Sequence, residues 1–148
     1  MNRNFDTPTF QIKSWWNYGK NYSEKTEVFC GNEKNSEVET RSLIKLIKDN
    51  NIDYIFSFHN AGSDIISSNH ELSKNLGKIY AENSKFDLIT EDNWRLMKLT
   101  GSFKEWSEIN NIPYLELEGS SRWGSDWMIQ GSAIFAVLDH INSISVIK

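Results

Sequence analysis

A single cysteine, Cys30, stands in the 148 residues, which excludes an internal disulfide and a zinc ribbon. A metal site in this chain would therefore have to be built from histidine and carboxylates. There is no long basic run, and 16 Lys and Arg against 20 Asp and Glu leave a formal net charge of −4. Neither nucleic acid nor an anionic membrane is an expected partner for that balance. No apolar stretch approaches the length that spans a bilayer. Met1–Asp6 lacks the apolar core of a signal peptide, an absence without weight if Met1 is not the true start. Internal repeats and low-complexity linkers are missing as well, so one domain is expected over residues 1–148.

What the chain does hold is aromatic bulk for a core, six Trp, five Tyr and eight Phe, and 24% charged residues for a surface. The stretch Ile52–Gly62 carries the strongest signal. Apolar side chains at 52, 54, 56 and 58 alternate with Asp53 and Ser57, and Ile55 makes the second face partly apolar, so a buried strand is predicted. It ends on His59 ahead of Asn60-Ala61-Gly62, at the edge where open α/β sheets place their ligands. His59 is thus a candidate metal ligand, the alternative being a hydrogen-bonded structural histidine at a strand end.

Around this strand the chain reads as follows. The first 35 residues carry aromatics without sustained period and read as a long packed loop. Ser36 and Glu39 have capping-box spacing, and Leu43, Leu46 and Ile47 recur at helical intervals, predicting a helix over about 37–49. Ser63–Ser67 reads as loop. Ser68 and Glu71 repeat the capping-box spacing before a second amphipathic stripe of Leu72, Leu76, Ile79 and Tyr80, with His70 exposed in its first turn. Residues 84–100 show no clean period. Ser102–Glu108 reads as a short helix and Pro113–Gly119 as a strand. On that strand Glu116 and Glu118 share one face while Leu115 and Leu117 share the other. Two carboxylates on one face could be charges on an edge strand or a pair that performs chemistry. From about Ser125 to Ile141, the residues Met128, Phe135, Leu138 and Ile141 predict a closing helix. The whole predicts an α/β fold with a mixed sheet flanked by helices.

Several of these pieces stand in an order that resembles the second half of the zinc metallocarboxypeptidases of the carboxypeptidase A type. Asn2-Arg3-Asn4 matches that family's N-R-N motif. Gly31 followed by Ser36-Glu37-Val38-Glu39-Thr40 matches its glycine and S-E-P-E-T stretch, with Val38 for the proline. Ser57-Phe58-His59-Asn60-Ala61-Gly62 matches the strand that ends on the third zinc ligand. Gly101–Trp106 matches G-S-x-D-W with one extra residue, and Ile112–Glu118 matches the strand of the catalytic glutamate. The resemblance covers nearly the whole chain, and no single motif in it is specific.

It implies that His59 binds Zn²⁺, that Asn2 and Arg3 hold the substrate's terminal carboxylate through a bidentate fork, and that Glu118 or Glu116 is the general base. Counting from Ile112-Pro113 favours Glu118, which is the preferred assignment because that match runs ungapped along the strand itself. Counting back from Arg122-Trp123-Gly124, which resembles the family's R-Y-G, favours Glu116. Phe103 or Lys104 occupies the position that in the family lines the pocket for the terminal side chain; Lys104 would favour an acidic terminal residue if it points inward, and otherwise it is a solvated helix lysine. The family's capping tyrosine has no counterpart: Leu96 or Met97 occupies its place, with Trp94 nearby.

The family's first two zinc ligands come from an H-x-x-E motif before N-R-N, and this sequence has none. One histidine falls short of the three protein ligands that a catalytic zinc requires. The expectation is a C-terminal portion of a longer enzyme, inactive alone, whose partners are its missing N-terminal half and a peptide or cell-wall peptide substrate. The alternative is a non-catalytic homologue that binds peptide carboxylates and has lost the metal.

Overall fold

A computed structural model describes residues 3–18, 24–89, 100–121, 123, 124 and 126–145, with the backbone alone at 16–18 and 145. They group into two compact units, Met1–Asp53 with Glu91–Ile112, and Tyr54–Thr90 with Pro113–Lys148.

The second unit is a mixed four-stranded sheet flanked by helices. Strands β3 (Ile55–Asn60), β4 (Asp64–Ser67), β5 (Asp87–Ile89) and β6 (Tyr114–Gly119) lie in the order β3-β6-β4-β5. Strand β6 runs parallel to β3 and antiparallel to β4, and β4 runs parallel to β5. Helix α2 (Glu71–Ser84) packs on β4, β5 and β6 and against the last helix, Trp127–Ser145. The core gathers Ile65, Leu76, Tyr80, Phe86, Leu115, Leu117, Ala133, Val137 and Ile141. In β6 the alternation of leucine with glutamate sends Leu115 and Leu117 into this core at 1% and 2% exposure. That commits the opposite face to Tyr114, Glu116 and Glu118.

The first unit holds β1 (Lys13–Tyr18), β2 (Glu24–Phe29), α1 (Val38–Asp49) and α3 (Phe103–Ile109); the final helix of the second unit is α4. Phe5 stacks on Phe103 with ring centroids 4.7 Å apart, and Trp106 closes the cluster. Helix α3 starts at Ser102, whose hydroxyl accepts from the Glu105 amide. Asn4, 1% exposed, ties the chain segments together. Its Nδ2 donates to the carbonyls of Cys30 at 2.6 Å and Glu33 at 3.0 Å and to Ser36 Oγ, and its Oδ1 accepts from the Glu37 amide. Gly31 adopts φ +111°, and a Cβ there would run into the Asn4 amide, so both the left-handed backbone and the close approach require glycine.

Several elements differ from the sequence-based expectation. The opening stretch is not all loop: β1 and β2 form an antiparallel hairpin. Its side chains are mostly exposed, and pairs such as Lys13–Glu27 and Lys25 over the Trp15 ring replace an apolar face, so no period of two marks it. Residues 64–67 are a strand, with Ile65 and Ile66 buried, because two consecutive apolar residues in a four-residue strand covered on both faces show no alternation. Strand β3 is terminal in the described sheet and leaves Phe58 at 59% exposure, rather than being buried throughout.

Helix caps also moved. Glu37, with no side-chain cap, precedes α1, since the Ser36 hydroxyl is engaged by Asn4. His70 caps α2 by accepting from the Leu72 amide at Nδ1, in place of Ser68, which is buried against Ser73. In α4 the buried face is Ala133, Val137 and Ile141, while Met128 is 91% exposed and Phe135 57%. The i, i+4 spacing of the smaller residues lets the helix approach its neighbours.

Asn4→Ala is expected to destabilise the first unit by roughly 2–4 kcal/mol, since the buried Cys30 carbonyl and the part-buried Glu33 carbonyl and Glu37 amide lose their partner together. Urea unfolding followed by tryptophan fluorescence measures this, and a loss below about 0.5 kcal/mol would show that water replaces the amide without cost.

Candidate metal and catalytic site

Strands β3 and β6 build the site because they are parallel neighbours whose side chains alternate in step. Their register sets Ser57 opposite Glu116 and His59 opposite Glu118, all on the face away from Leu115 and Leu117. A histidine and two carboxylates thereby converge: His59, Glu116 and Glu118 each offer a ligand atom, and these atoms all lie within 4.8 Å of one another.

Each group has a distinct environment. His59 Nε2 lies 2.9 Å from Ser57 Oγ and 3.9 Å from Glu116 Oε2. Glu116 is 5% exposed, and its Oε2 accepts from the Tyr114 hydroxyl at 2.6 Å. Burial, the adjacent Glu116 charge and the bond it donates all hold the Tyr114 hydroxyl well above the usual phenol range, so it stays a donor. Glu118 Oε2 is buried, with no hydrogen-bond partner among the described residues. Burial pushes the Glu118 carboxyl up, Glu116 and Asp64 add to the shift, and His59 opposes it. Asp64, at the start of β4, is raised by burial and by Asp87, which stands opposite it in the parallel pair with β5.

The donor set suits zinc, which takes imidazole nitrogen and carboxylate oxygen, and the orphaned Glu118 oxygen is the type of atom that a cation satisfies. A complete catalytic zinc site has three protein ligands plus an open position. These residues therefore fit as part of a zinc site in which a carboxylate remains for proton transfer.

Of the other expected residues, Arg3 and Lys104 belong to the first unit. Arg3 is half-buried, its Nη1 makes one long contact of 3.5 Å to Ser14 Oγ, and burial lowers its pKa. Among the described residues no carboxylate pairs with it. Lys104 is buried, not solvated, and its Nζ binds Glu108 Oε1 at 2.6 Å, so its charge is met within α3. Asn2, Trp94, Leu96, Met97 and Arg122 lie outside the described residues. Ser57 and Tyr114 were given no role on sequence grounds, although both share the period-two face of the site, and that spacing was the available signal.

The chain has relatives among known proteins. The zinc carboxypeptidase family (Peptidase_M14) matches residues 1–131, and the chain belongs to that family. No curated protein sequence matches it. Among solved structures it is similar to the murein-tripeptide amidase MpaA from Escherichia coli O157, with a TM-score of 0.72 and 23% identity over 93% of this chain and 56% of that one. It is also similar to bovine thrombin-activatable fibrinolysis inhibitor, with a TM-score of 0.66 and 15% identity over 96% of this chain and 56% of that one. The chain thus spans about half the length of these structures, and at such identities the likeness establishes the shared carboxypeptidase fold.

A carboxyl whose folded pKa is raised stabilises the fold below its unfolded pKa, and that contribution is lost as pH rises through the folded pKa. Asp64→Asn is therefore expected to raise the thermal midpoint at pH 7, with the gain fading as pH falls below about 4. Its side chain is only part-buried, and solvent screening limits the effect to less than about 1 kcal/mol. Calorimetry across that range checks it, and a gain at pH 3 equal to that at pH 7 would exclude a charge origin.

Proposed function

We propose that this chain carries one portion of the active site of a zinc-dependent carboxypeptidase or amidase. The reading rests on one observation: His59, Glu116 and Glu118 converge within 4.8 Å in a chain that the zinc carboxypeptidase family matches over residues 1–131. His59 would hold zinc, which when bound polarises the scissile carbonyl and acidifies water at the site. The remaining ligands would come from an H-x-x-E outside this sequence, so the chain by itself is expected to bind zinc weakly and to turn over no substrate.

We assign the general base to Glu116. Its Oε2 is fixed by Tyr114 and lies 3.9 Å from His59 Nε2, and the count back from Arg122-Trp123-Gly124 supports the same residue. Glu116 Oε1 takes a proton from the attacking water as the water oxygen bonds to the carbonyl carbon. As the carbon–nitrogen bond breaks, the same oxygen returns that proton to the leaving amine. Asn2 and Arg3, on the N-R-N motif, would hold the substrate's terminal carboxylate, and the lack of a described carboxylate beside Arg3 suits that role. The substrate class is a peptide with a free C-terminal carboxylate, and the match to a murein-tripeptide amidase favours a cell-wall peptide.

The second reading, a homologue that binds peptide carboxylates without catalysis, draws on the absence of any H-x-x-E. An in-frame H-x-x-E in the coding DNA upstream of Met1 supports the enzyme, and a genuine start site without one supports the binder.

In the protein containing that motif, Glu116→Gln is expected to lower kcat about 10²–10⁴-fold on a murein tripeptide or a blocked dipeptide. Glu118→Gln should stay within about tenfold of the parent, since it removes a neighbouring charge and not the proton carrier. The reverse outcome would transfer the base to Glu118. Zinc titration of the present 148 residues should give weak binding that His59→Ala abolishes.

A further inference from the structure

We propose that Tyr114 is a positioning residue for the base, an inference that rests on the assignment of that role to Glu116. The two side chains leave the same face of β6 two residues apart, and the phenol lies along the strand toward the carboxylate. Tyr114 is 1% exposed and its hydroxyl donates to Glu116 Oε2 at 2.6 Å. No described residue donates to Glu116 Oε1. The bond therefore does two things. It supplies the partner that a buried carboxylate needs, and it divides the two oxygens, tethering Oε2 and leaving Oε1 as the one that accepts and returns the proton.

The backbone around Tyr114 keeps the tether from drifting. Its amide is met by two buried hydroxyls, those of Ser73 at 2.9 Å and Ser68 at 3.3 Å, and these two are bonded to each other at 2.7 Å. Ser73 belongs to α2 and Ser68 to the turn before it, so the helix, the turn and β6 locate the phenol jointly. A base held by one fixed oxygen meets its water in one orientation, which is the condition under which positional precision contributes to rate.

The test uses the full enzyme that contains this chain, with a murein tripeptide as substrate. Tyr114→Phe keeps the ring and deletes the donor. It is expected to lower kcat about 10–100-fold with KM and zinc content unchanged, and 3-fluorotyrosine at 114, which keeps a hydroxyl, should restore turnover. In a Glu116→Gln background the same change should have no further effect on kcat, because both act on one proton transfer. An unchanged kcat in Tyr114→Phe, or an equal loss in both backgrounds, overturns the proposal.

A second measurement separates this inference from the assignment beneath it. In the metal-free protein, the shifts in urea midpoint caused by Tyr114→Phe and Glu116→Leu should be non-additive, which reports the bond whatever its use. Non-additive unfolding with full turnover in Glu116→Gln would place the failure in the assignment of the base, and the positioning role would fall with it. Additive unfolding would show that the bond does not form, and would overturn the positioning role alone.

Discussion

A carboxylate at 5% exposure in an interior strand is the constraint on which the second unit depends. Taking an ionised group out of water costs several kcal/mol unless hydrogen bonds replace its hydration. The Tyr114 hydroxyl replaces part of it, while the imidazole of His59, 3.9 Å away, is too distant to donate a hydrogen bond. The leucines on the other face of β6 make this burial unavoidable. Leu115 and Leu117 can reach the core only if Glu116 and Glu118 point the opposite way, so the force that assembles the sheet also concentrates negative charge at one place.

That concentration explains the uneven treatment of the two glutamates. Glu116 has a donor, whereas Glu118 has an orphaned oxygen and a raised pKa, with Asp64 adding to its repulsion. A fold selected for stability alone would avoid such a cluster, because like charges in poor solvent raise the free energy of the native state. Metal-assisted hydrolysis needs the opposite, ligands and base held ready in a site from which water is largely excluded. The first unit shows the same economy in neutral form: one asparagine, with a glycine that makes room for it, gathers the chain around Cys30, Glu33 and Glu37.

The elements legible in the sequence were those whose apolar residues recur at one regular period. Helices α1, α2 and α3 carry stripes of period 3.6, and β6 alternates cleanly, so each was placed to within a few residues. The hairpin β1–β2 escaped because most of its described side chains meet solvent, and β4 because its short run is buried on two sides. The burial of α4 was assigned to its largest side chains. The structure instead buries the smaller Ala133 and Val137 with Ile141, since close approach counts for more than bulk at that contact. Of the site, His59 and both glutamates were visible as strand-end and strand-face residues.

The sequence by itself determined the family, the alternation that gives Glu116 and Glu118 a common face, and the candidacy of His59, because all three are local properties of type and spacing. It could not choose between the two glutamates, since residues two apart on a strand are equivalent to any periodic argument. Only the tertiary structure decided which is tethered, by turning the Tyr114 phenol onto Glu116, and which groups face the pair, by laying β3 beside β6 in a register that sets Ser57 against Glu116 and His59 against Glu118. Register is a relation between segments more than fifty residues apart, held by packing and backbone hydrogen bonds, and no window along one strand contains it.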